Sequence, residues 1–133
     1  MGLEFLCIDS GSARDLRRDP SWPSAREAID LLDGDAVSMV RLSTVAGTSL
    51  SIGGGRNDQY VVSAIHSSGA ATTLLHPGST GPAVDIKHGR SRTAFPSDMV
   101  VPKTLVLRAA ELFWRNGNFD SALTWKGVEP GIR

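Results

Sequence analysis

The chain has 133 residues, 14 of them basic and 14 acidic, so its formal net charge is zero. A balanced charge excludes a global field that would drive it to nucleic acid or to a membrane surface. One cysteine, Cys7, excludes an intrachain disulfide. The length predicts a single domain over residues 1–133, with a core that removes roughly two-thirds of the unfolded surface from water.

In chain order, residues 3–8 form an apolar run that reads as a strand with Cys7 as a buried, inert thiol. Glu4 and Asp9 flank it, and it is too short for a signal peptide or a membrane span. The protein is therefore expected to be soluble and cytoplasmic. Residues 9–20 lack an apolar period and read as an exposed loop, followed by an exposed Trp22. Ser24-Ala-Arg-Glu27 spells a capping box behind Pro23. The helix it opens should run to about Asp33 and stop at Gly34. Ala25, Ala28, Ile29 and Leu32 share its inner face, and Glu27, Asp30 and Asp33 its outer one.

Residues 37–43 are rich in β-formers and read as a strand. Residues 49–53 alternate, with Leu50 and Ile52 inward. Residues 59–66 are apolar on both faces and predict a central strand. Residues 53–57 should connect these two as a hairpin turn. A second hairpin loop at residues 67–69 leads to a strand over 71–76. A plain loop at 77–82 precedes an alternating run at 84–87. His88 and Gly89 turn the chain, residues 91–95 pair back, and Pro96 ends them.

The last helix has Pro102 in its first turn. Its predicted core stripe is Leu105, Ala109, Leu112 and Phe113, with Val106 at the edge and Leu107 and Trp114 off it. Glu111 and Arg115 are spaced for an i,i+4 pair, and Gly117 suits a left-handed cap. Leu123-Thr-Trp125 reads as a final strand-like tail, with Trp125 packed beside Leu112 and Phe113. These elements predict an α+β fold, a mostly antiparallel sheet of about five to seven strands flanked by two main helices.

Few residues suggest chemistry. Gly53-Gly-Gly-Arg56 could cradle a phosphate, but a phosphate loop needs a helix directly after it and here a β-run follows. A glycine-rich turn does bare its backbone to a protein partner. His66, His76 and His88 have no metal-ligand spacing and read as scattered surface histidines. No Gly-x-Ser-x-Gly elbow occurs, and Asp85 and Asp98 are isolated carboxylates. The expected protein has no catalytic residue, no bound metal and no cofactor, and is not an enzyme.

Charge is unevenly spread. Residues 1–35 carry eight acids against four arginines, and residues 36–133 six acids against ten bases. Glu27, Asp30, Asp33 and Asp35 form an acidic ridge. Its ordinary role is a solvated helix face, and its functional role is a patch for a basic partner. Toxins that act on nucleic acids have basic clefts.

One further feature is the order of pieces over residues 50–125. Ser51-Ile-Gly-Gly-Gly55, Tyr60-Val-Val62, Thr73-Leu-Leu-His-Pro77 and Phe95-Pro96 come first. Met99-Val-Val-Pro102, Leu107-Arg-Ala-Ala110, Phe113-Trp114, Asn116-Gly117 and Leu123-Thr-Trp125 follow. This order resembles the first-described family of polymorphic-toxin immunity proteins, often encoded beside deaminase toxins. The first fifty residues depart most from it. The resemblance implies a cytoplasmic protein without catalytic residues that binds and blocks a cognate deaminase-like toxin domain. It implies no direct nucleic-acid contact and no membrane, and the free protein is expected to be a monomer or weak homodimer. The expected toxin contacts are Asp30, Asp33 and Asp35 on the ridge, with Gly54, Gly55, Arg56, Asn57 and Asp58 at the glycine turn. The alternative is a small nucleotide- or metabolite-binding enzyme using the turn at Gly53, Gly54 and Gly55 with a histidine.

Overall fold

The computed structural model describes residues 5–10, 13–18, 20–88 and 91–128. Seven strands form one antiparallel sheet: β1 (Phe5–Ser10), β2 (Ala13–Arg18), β3 (Met39–Ser43), β4 (Ser49–Gly54), β5 (Tyr60–Ile65), β6 (Ala71–Leu74) and β9 (Trp125–Val128). Their order across the sheet is β2-β1-β3-β4-β5-β6-β9. A separate ribbon pairs β7 (Val84–His88) with β8 (Ser91–Phe95). Two helices, α1 (Trp22–Asp30) and α2 (Lys103–Asn116), complete the α+β architecture expected from the sequence.

Strand parity decides what each face covers. Leu6, Leu42, Leu50 and Ala64 are partnered across the strands and point to one side. There they meet Ala25, Ile29, Val106, Ala110 and Phe113 from the two helices in one buried core. Val61 points the other way, into a smaller core with Ile86 and Val100 under the ribbon. This double burial makes β5 the central strand its sequence predicts.

Residues 13–18 are a strand, not the exposed loop expected. Leu16 is their one large apolar residue and is 61% exposed, so no alternation could announce an edge strand. The β1 ladder sets the register instead, with Cys7 opposite Leu16. Cys7 itself is half-buried rather than buried. Leu3, Glu4, Gly11, Ser12, Asp19 and Gly89, which entered the predicted first strand, loop and turn, lie outside the described residues.

Helix α1 starts three residues earlier than its capping-box spelling suggests. Ser21 is the cap, its hydroxyl accepting from the Ser24 N–H at 3.2 Å, and Pro23 lies in the first turn. The helix ends at Asp30, before the expected Asp33. Trp22 is accordingly helical and half-buried, against the expectation of an exposed loop residue. Its ring lies 6.1 Å from Trp114, whose indole N–H donates to Pro20 O at 2.8 Å and so ties α2 to the entry of α1.

In α2 the buried stripe is Val106, Ala109, Ala110 and Phe113. Leu105 and Leu112 are only half-buried, so the predicted face is rotated. Both stripes satisfy a 3.6-residue period, and small Ala110 allows the closer approach to the sheet. Pro102 sits at the cap rather than in the first turn, and Gly117 ends the helix at φ 73° as expected. The Glu111–Arg115 pair forms at 3.0 Å. Trp125 reaches Phe113 through Phe119, which stacks on Phe113 at 5.3 Å and tilts against Trp125 at 5.7 Å.

Candidate functional site

The glycine turn joins β4 to β5 through one 3-10 turn, Arg56–Asp58. Gly54 and Gly55 have φ of 95° and 121°, and Asn57 and Asp58 both have φ of 58°. A Cβ on Gly55 would overlap Leu32 O, and one on Gly54 would overlap Gln59 O. A Cβ on Gly34 would lie 3.0 Å from Arg56 Cβ. The contacts that require glycine are thus made within the chain. They press the turn against the end of α1 and leave Arg56, Asn57 and Asp58 exposed on top.

The acidic ridge is brought beside this turn, but its carboxylates are engaged. Asp30 forms an ion pair with Lys103. Asp35 lies 3.8 Å from Lys87 Nζ, which also donates to the Asp35 backbone carbonyl at 3.0 Å. Asp33 Oδ1 accepts from the N–H groups of Asp35 at 2.9 Å and Val37 at 3.1 Å. The Asp35 N–H foremost holds the Asp33 carboxyl below the usual carboxylate range. Asp58 Oδ1 accepts from the Lys103 N–H at 2.9 Å. It caps α2 from a distance, since the cap residue Pro102 has no side-chain acceptor. Each pair is solvent-exposed and contributes on the order of 0–1 kcal/mol. Their effect is to fix orientation.

Sequence reasoning missed the cations of this site. Lys87 comes from the ribbon, its Nζ donating to the Asp35 carbonyl 52 residues away, and Lys103 from α2, its backbone N–H donating to the Asp58 carboxylate 45 residues away. No local signal could have joined them. The turn and ribbon enclose a hollow of about 130 Å³, with Arg56, Lys87 and Arg92 on its rim. Small-molecule sites are usually ~300–1,000 Å³.

The histidines lie apart. His76 is exposed, and His66 is half-buried with its ring edge-on to Phe119 at 4.7 Å. His88, expected at the surface, lies on Gly53, where a Cβ would overlap its ring. Burial, then nearby Arg41, pushes the His88 pKa below its ordinary value. Its Nε2 has no hydrogen-bond partner. His88 does not line the hollow. Among the described residues no three His, Cys, Asp or Glu side chains are placed to share a metal ion.

What these elements assemble is a charged surface of ridge, turn and ribbon residues on an α+β domain. The family of immunity protein Imm1 matches residues 20–127, and the chain belongs to it. It is an immunity protein against a toxin, and a cognate toxin is its partner. The match runs from the entry of α1 into β9 and thus reaches some thirty residues upstream of the resemblance at residue 50. Strands β1 and β2 precede it. No curated protein matches the chain. Among the described residues no helix is long and apolar enough to cross a membrane.

Proposed function

We propose that this protein neutralises a deaminase toxin of nucleic acids or nucleotides by binding its catalytic domain in the cytoplasm, without catalysis of its own. The supporting observation is the Imm1 match over nearly all described elements from α1 onward. The contacts are the ridge residues Asp30, Asp33 and Asp35 and the turn residues Arg56, Asn57 and Asp58, with Gly54 and Gly55 shaping the turn beneath. An acidic ridge suits a toxin whose cleft is basic because its substrate is anionic. Ion pairs of Asp30 with Lys103 and of Asp35 with Lys87, and the backbone N–H groups on Asp33, orient these carboxylates before the partner arrives, which lowers the ordering cost of association. The free protein acts as one domain, a monomer or weak homodimer. Co-purification with the C-terminal domain of a toxin encoded in an adjacent reading frame tests the partner. A deaminase assay with and without this protein tests the chemistry. Undiminished deamination at molar excess would refute the proposal.

A further inference from the structure

The rim of the hollow carries three cations and one carboxylate, and two of the cations are engaged. Arg92 Nη1 donates to Asp85 Oδ2 at 3.3 Å, and Lys87 Nζ donates to Asp35 O at 3.0 Å. Arg56 is exposed, and its guanidinium has no hydrogen bond or ion pair among the described residues. Its backbone, in contrast, is fixed. Arg56 O accepts from the Gln59 N–H at 3.1 Å, and its Cβ packs on Gly34. The guanidinium offers five donors in a planar fork that matches a planar anion, on a backbone whose position is fixed.

We infer that this hollow seats a carboxylate side chain of the toxin, gripped by Arg56 through two parallel N–H···O bonds. The inference rests on the immunity reading above and adds the chemistry of one contact. Three observations favour a protein carboxylate over a phosphate or nucleic acid. The hollow holds about 130 Å³, enough for an Asp or Glu side chain but below the size of nucleotide pockets. The Gly55 N–H, which a phosphate would need, already donates to Gln59 O at 2.9 Å. Asp85, itself on the rim and paired with Arg92, leaves Arg56 as the one rim cation without a partner among the described residues, a match for a single negative charge rather than a polyanion. A cation seat next to an acidic ridge instead fits a partner with a basic cleft and one acidic residue at its edge. That two-sign pattern fixes the register of docking.

The test is a charge-swap cycle with the catalytically inactivated cognate toxin domain, read by calorimetry. Arg56→Ala should weaken binding by about 30-fold or more, as expected for a buried arginine anchor. Arg56→Lys should recover only part of the loss, because lysine cannot make the bidentate pair. One Asp or Glu of the toxin, changed to Arg, should lose the wild type and regain affinity for Arg56→Glu. Melting temperatures of the Arg56 variants should match the wild type, since the side chain is exposed. Unchanged affinity in Arg56→Ala overturns the seat while leaving the immunity function standing. So does the absence of any toxin carboxylate coupled to Arg56. Binding of a DNA or RNA oligonucleotide that depends on Arg56 overturns it in favour of a phosphate site. Failure of the wild type to bind the toxin overturns both.

Discussion

Two hairpin turns flank the central strand β5, and both are spelled with glycine. The β4–β5 turn is enclosed. Its glycines face Leu32 O, Gln59 O and the His88 ring, and it sits between α1 and the ribbon. The β5–β6 turn is open. Gly69 closes it with an N–H donated to His66 O at 2.8 Å, and nothing lies within 4 Å of where its Cβ would be. Both need a positive φ, 121° at Gly55 and 94° at Gly69. Only the first also needs the missing side chain. The same residue type therefore serves a local bend in one turn and the joining of three distant elements in the other.

Substitutions can break or sharpen this contrast. The upper bound of the scale is the main core, where Phe113 is fully buried. Phe113→Ala should cost about 3–5 kcal/mol in chemical denaturation, and an unchanged midpoint would contradict its placement. Gly55→Ala should come next at roughly 3 kcal/mol, combining left-handed strain with overpacking against Leu32. Gly69→Ala should cost about 1 kcal/mol, the backbone strain alone. Equal losses in these two variants would erase the distinction between the turns.

Asp58→Ala should cost ~1 kcal/mol through the lost cap on α2. Native-state hydrogen exchange should then accelerate at the start of α2 and not at its end. The smallest expected effect concerns His88 over Gly53. Its folded pKa is depressed below the ordinary value of about 6.5, so the unfolded chain binds the extra proton first as pH falls. His88 therefore adds stability above pH ~6.5 that is lost as pH drops toward its folded value. Urea midpoints between pH 7 and 5 should fall more steeply for the wild type than for His88→Gln. Parallel slopes would show that the ring is not buried against the sheet.

How much of this was legible in the sequence depended on whether the signal was local. Alternation at Leu50 and Ile52, and apolar faces on both sides of residues 60–65, suffice to place β4 and β5. The α2 helix was legible in extent but not in rotation, since Leu105 and Val106 compete for one period and only the packed sheet decides between them. Strand β2 was illegible because an edge strand borrows its register from its neighbour. The acidic ridge and the glycine turn could be named from spelling alone. Their union through Lys103 and Lys87 could not, because it is made by residues far apart in the chain. The requirement for Gly54 and Gly55 was visible as a turn signal, while its cause lies in Leu32 and Gln59.

Among the described residues the sheet ends in β2 on one side and β9 on the other, and an edge strand has one row of backbone groups that its sheet does not pair. Such rows template fibre growth when two copies meet edge to edge. Here β2 carries Arg17 and Arg18, and β9 carries Lys126. Charged side chains on an edge strand are one way to discourage such pairing. The two edges thus set how readily copies of this domain could pair with one another, a matter separate from how it meets its toxin.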